Sequence, residues 1–146
     1  MGMFDSINIS ASALTAEKTR MDIISKNIAN ANTTRATGGM PYRRQMVVFE
    51  ENKDKSFSSY LDEYSNKFTG GGVKIREVVE DSAPFRLVYE PGHPDANEDG
   101  YVMLPNVEMV KEMVDMIDAQ RTYEANITAM NANKTMLMKA LEISRR

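Results

Sequence analysis

Few side chains in this sequence are placed to do chemistry. The strongest candidate is Asp95-Ala96-Asn97-Glu98-Asp99-Gly100. It has oxygen ligands at the first, third and fifth places and a glycine at the sixth, the opening of an EF-hand calcium loop. The pattern then fails. Its twelfth position is Asn106 rather than a bidentate Glu, and Pro91 and Pro94 stand where the entering helix belongs. The structural reading is an acidic connecting loop whose Asn and Asp side chains bond their own backbone. His93, the only histidine, sits in a turn between those prolines, where it reads as a surface loop residue. Thr69-Gly70-Gly71-Gly72-Val73-Lys74 lacks the spacing and the Lys-Ser/Thr ending of a phosphate loop, and reads as a flexible turn entering a strand. With no cysteine, disulfides, thiolate metal sites and thiol chemistry are excluded. No catalytic, cofactor or metal site is expected, and no enzyme.

Charge and hydropathy narrow the partners. Net charge is −3, and no stripe of Lys or Arg is present to neutralise a row of phosphates, so nucleic acid is not an expected partner. No apolar run is long enough to cross a bilayer. The N-terminus lacks a basic region followed by an apolar one, so no cleaved signal peptide is expected. Met1-Gly2-Met3-Phe4-Asp5-Ser6 matches the loose myristoylation pattern, which is too short to carry weight alone.

Assembly is better served. Ile7, Leu14, Met21 and Ile28 recur every seventh position, joined by Ile24 and Ala31 and broken at Ser10 and Glu17. This stripe predicts a helix over about 6–30. At the other end, steps of four and three visit Met109, Met113, Met116, Gln120, Tyr123, Ile127, Met130, Lys134, Leu137 and Leu141. Pro105 and Asn106 make a natural start, with Asn106 as N-cap and Glu108 in the first turn. Neither Pro nor Gly follows Pro105, so one long helix is expected.

Between the helices, turn signals at 38–41, 70–72, 91–94 and 99–100 separate expected strands at 45–50, 73–79 and 85–89. In 51–68, Phe57, Tyr60, Leu61, Tyr64 and Phe68 suit either a short helix packed on the strands or a loop with aromatic anchors. The fold class is α+β. A helical core domain of 1–34 plus 105–146 is expected to flank a small β-rich segment, 35–104, with a possible insertion at 51–71. A C-terminal helix of this length outreaches a small β module, so it must pack on the N-terminal helix, a neighbouring chain, or both. Several of the 12 methionines lie on its stripe, where they suit either an ordinary core or a surface that repacks against neighbours. Asn27 and Asn30 close the first helix, three apart on one face, where their amides are placed to bond the backbone of a packed neighbour. A lone subunit is expected to keep its ends loose until they meet that neighbour.

Asn27-Ile28-Ala29-Asn30 followed by Thr33 resembles the N-terminal signature of bacterial flagellar rod and hook proteins. Asn106-Val107, Glu112-Met113-Val114, Met116-Ile117 and 121–126 resemble that superfamily's C-terminal helix. Tyr42-Arg43-Arg44-Gln45 and 91–102 are similar to its proximal rod members. Sibling components of the distal rod, hook and cap junction usually carry larger middle domains. The resemblance implies a structural rod subunit, polymerising through its terminal helices into a tubular drive shaft that transmits torque and continues the export channel. It implies an extracytoplasmic basal-body location, reached unfolded through the type III export apparatus without a chaperone. Its implied partners are copies of itself, other rod proteins, and proteins on the MS-ring and export-gate side, with no membrane insertion. The implied interface comprises Ile7, Leu14, Met21, Ile24, Asn27, Ile28, Asn30, Met113, Met116, Ile117, Tyr123, Asn126, Ile127, Met130, Leu137 and Leu141.

Overall fold

A computed structural model describes residues 3–36, 38–52 and 71–144. The order is helix α1 (Met3–Ala29), strands β1 (Gln45–Glu51), β2 (Val73–Glu80), β3 (Arg86–Tyr89) and β4 (Tyr101–Leu104), then helix α2 (Met109–Ser144). The α+β class and both terminal helices follow the sequence. The aromatic stretch of 51–68 lies almost wholly outside the described residues.

Helix α1 forms despite its many hydroxyl residues because it ties their side chains back onto itself. Ser10, Thr15 and Thr19 each donate to the carbonyl four residues earlier, and Ser12 to that of Ile9. Asp5 in its first turn and Lys26 in its last complement the helix dipole. Helix α2 runs 36 residues, about 54 Å at 1.5 Å per residue. It starts later than expected. Glu108, not Asn106, supplies the carbonyl that accepts the first helical bond, from Glu112 N at 3.0 Å. Asn106 is not the N-cap because its amide is engaged elsewhere, as described below.

Strands β1 and β2 pair in a two-stranded sheet. Bonds from Asp81 N to Arg44 O and from Asn52 N to Gly72 O at its two ends make the pairing antiparallel. Strands β3 and β4 form an antiparallel hairpin with Leu87 opposite Met103 and Tyr89 opposite Tyr101. Strand β4 was not expected: four residues between Gly100 and Pro105 are too short to show a period.

The chain divides into two compact units. The first holds 1–19, 49–76 and 119–146. In it β2 opens against α1, where Val73 N donates to Ser12 Oγ at 3.1 Å. Gly72 has φ +78°, and a Cβ there would collide with Ser12 Oγ, so only glycine fits this approach. The second unit holds 20–48 and 77–118. Its core is Ala31, Tyr42 and Val107, with Ala36 and Met109 against it and Val102 1% exposed. A turn at Gly38-Gly39 folds the chain after α1 back on itself, so that Tyr42 N bonds Thr33 O.

Candidate assembly site

The side chain that organises the second unit is Glu112, which is fully buried in the first turn of α2. Its Oε1 accepts from Arg44 Nε at 2.6 Å and its Oε2 from Asn27 Nδ2 at 2.9 Å. One carboxylate thus joins the end of α1, the start of β1 and the start of α2. Asn27 is 1% exposed and has no bonding capacity left over. Its Nδ2 also donates to Gln45 O, while its Oδ1 accepts from Tyr42 Oη at 2.8 Å and Gln45 N at 3.0 Å. Asn27 thus bonds the backbone of Gln45, a packed neighbour within its own chain. This network anchors the last turn of α1.

Arg44 reaches two further carboxylates, Asp81 at 3.5 Å and Asp115 at 3.4 Å. Burial acts to lower its pKa, but bonds and charge from Glu112 and Asp81 outweigh it and hold the guanidinium above its usual value. Tyr42 is pushed up, first by burial and then by the charges of Glu112 and Glu80, so its phenol keeps the proton it donates to Asn27. Asn106 accepts from Arg44 N and donates to Asp81 O and Ala83 O, clasping the chain between β2 and β3. Arg43 lies 4.5 Å over the Phe85 ring and donates to Asp81 O, fixing the same segment from outside.

The acidic loop is turned to structural use. Asp95 accepts from Thr34 Oγ1 at 2.7 Å and pairs with Arg35, so its carboxylate fastens the hairpin loop just beyond α1. The Thr34 bond, aided by the Arg35 and His93 charges against some burial, lowers its pKa. Asn97 Oδ1 accepts from the loop amides of Asp99 and Tyr101. Of the three side chains that a calcium ion would use in this loop, Asp95 and Asn97 thus already have partners within the fold.

In the second unit, Ile24 and Asn27 are buried, Met21, Ile28, Asn30 and Met116 half-buried, and Met113 and Ile117 exposed. In the first, Ile7, Leu14, Tyr123, Asn126, Ile127, Met130 and Leu137 are half-buried and Leu141 is exposed. Asn30 donates to Lys26 O and accepts from Thr33 Oγ1, ending the helix locally. Asn126 bonds Thr122 O in its own helix. The covered row of α2 keeps Met109, Met116, Tyr123, Met130 and Leu137 but alternates them with Glu112, Ala119, Asn126 and Asn133, one residue before the expected partners. Gln120 and Lys134 therefore lie outside the row and do not interrupt it. The shift leaves Val110, Met113, Val114 and Ile117 as an exposed apolar row, each 49–70% accessible.

Sequence comparisons meet this arrangement at both ends. The family described as "Flagella basal body rod protein" matches residues 7–37, and "Flagellar basal body rod FlgEFG protein C-terminal" matches residues 98–143. A helix-ended α+β fold with these matches is of the flagellar rod class. The flagellar basal-body rod protein FlgC of Bacillus subtilis (strain 168) is 53% identical, over 99% of this chain and 100% of its own length. That of Borreliella burgdorferi is 44% identical over 98% of each, and that of Salmonella typhimurium (strain LT2) 40% identical over 98% of each. The chain belongs to the FlgC family of flagellar basal-body rod proteins.

Proposed function

We propose that this chain is a structural subunit of the bacterial flagellar rod, without catalytic activity, that assembles with copies of itself and with other rod proteins. The observation that carries the reading is the full-length relationship to FlgC proteins in a chain whose α2 exposes a continuous apolar row. Apolar side chains at i, i+3, i+4 and i+7 form one ridge on a helix, and such a ridge gains by being covered. The helical parts of 1–34 and 105–146 then serve as the assembly domain. The rod they build carries torque and continues the export channel. The subunit reaches the basal body through the type III export apparatus. No described helix is long and apolar enough to cross a membrane.

The buried network gives the mechanism its stiffness. A subunit that passes torque must not shear between its helices. Glu112 ties the start of α2 to the end of α1 through charge-assisted bonds shielded from water. The test is complementation of a strain lacking this gene. Ile117→Asp or Met113→Asp should fold normally yet fail to restore motility, while Lys18→Ala, at an exposed site on α1, should restore it. If Ile117→Asp and Lys18→Ala restored motility equally, the α2 ridge would not be an interface.

A further inference from the structure

The second unit carries two features that fit each other but not themselves. One is a groove of about 560 Å³ beside the end of α1, lined by Lys26, Arg35, Arg43, Met40 and Phe85, with Glu80 its only acidic residue. Lys26 and Arg35 are exposed, and Met40 is 67% accessible. The other is the β3–β4 hairpin. At its tip, Glu98 and Asp99 are exposed and make no ion pair among the described residues. The tip is already shaped, because Asn97 Oδ1 holds the amides of Asp99 and Tyr101, and Asn97 N bonds Tyr101 O. Behind it, the cross-strand pairs Leu87–Met103 and Tyr89–Tyr101 are all exposed. The two tyrosine rings meet edge to face at 5.3 Å.

We propose that the groove receives the hairpin of a second copy of this chain, an inference that rests on the rod-subunit reading. Glu98 and Asp99 enter among Lys26, Arg35 and Arg43, whose existing bonds leave N–H donors to spare. Leu87 and Tyr89 of the entering hairpin cover Met40 and Phe85 at the groove's apolar edge. Charge complementarity selects the occupant, since Lys26 and Arg43, beside an Arg35 already paired with Asp95, face two carboxylates that have no ion pair among the described residues, and the tip is shaped before it arrives. The groove adjoins the hairpin loop of its own subunit through the Arg35–Asp95 pair, and with groove and tip each engaging a different neighbour the contact is head to tail. Such a contact propagates rather than closing into a two-fold dimer, as a helical rod requires.

The absence of cysteine makes the contact directly testable. Glu98→Cys and Lys26→Cys chains carrying different tags are co-expressed, and their basal bodies are mildly oxidised. A disulfide joining the two tags is expected, with none when Lys18→Cys replaces Lys26→Cys. In parallel, the double change Glu98→Lys with Asp99→Lys should lower the assembled fraction about tenfold or more, as opposed charges become like charges. Adding Lys26→Glu and Arg43→Glu should recover part of that loss. Basal bodies that contain the singly substituted chains yet give no cross-tag disulfide and no charge rescue would overturn this contact alone. A cross-link to a different rod protein would overturn the second-copy occupant. Absence of the unsubstituted chain from basal bodies would instead overturn the rod reading.

Discussion

Arg44 Nε lies 2.6 Å from Glu112 Oε1, joining residues 68 positions apart, and the carboxylate it meets is fully buried. A buried ion pair is weak grounds for stability in itself, yet breaking it by removing one partner costs about 3–5 kcal/mol. Arg44→Met should therefore destabilise the protein strongly, because Glu112 would stay buried with only Asn27 as a donor. Arg44→Met combined with Glu112→Met should recover much of the loss. Urea unfolding of the parent and the two variants measures this, and equal stability of the single and double variants would contradict it.

The two asparagines of the first helix should separate. Asn27→Ala leaves Gln45, Tyr42 and Glu112 each short of a buried partner and should cost about 2–3 kcal/mol. Asn30→Ala removes bonds at a half-exposed helix end and should cost about 1 kcal/mol or less. Thermal melting of both variants decides the order.

How far the sequence alone reached is clearest on these elements. Both helices were legible because a period sustained over many turns outweighs local noise. The inner row of α2 was misread by one residue, because apolarity favours Met113 over Glu112. Burial of Glu112 depends on Arg44 and Asn27, which come from segments far away in the chain, and no periodicity reports such a partner. Asn106 looked like a cap by type and position, but its amide serves Arg44 and Asp81 instead. Strand β4 carries no signal of its own and exists because β3 pairs with it.

Acid should weaken the second unit. The Ala83 amide, with Arg44 and Lys111, holds Asp81 below the usual carboxylate range despite some desolvation. A depressed folded pKa gives stability that is present above the unfolded value, near ~3.9, and lost as pH falls through the folded value. Alkali should weaken it as well. Tyr42 is raised, so its contribution holds below the unfolded value of about 10 and fades as pH climbs through the folded value. Melting temperature against pH should lose part of its acid limb in Asp81→Asn and part of its alkaline limb in Tyr42→Phe.

Gly72→Ala should loosen the first unit, since it meets both a positive φ and Ser12 Oγ. The left-handed backbone alone costs about 1–2 kcal/mol for a residue with a Cβ. Hydrogen exchange at the Val73 amide, which bonds Ser12 Oγ, should quicken. Adding Ser12→Ala should relieve the collision but also removes the acceptor of the Val73 amide, so exchange there should stay fast. Protection at Val73 unchanged from the parent would mean that strand β2 does not need glycine here.

The placement of this chain in the flagellar rod is open to measurement. Its most direct measurement is mass spectrometry of basal bodies purified from cells carrying the gene, alongside motility and electron microscopy of cells lacking it. The chain should be a stoichiometric component of purified basal bodies, and cells should be non-motile and lack a completed rod when the gene is removed. Motile cells with intact rods in its absence, and basal bodies free of the chain in its presence, would contradict it.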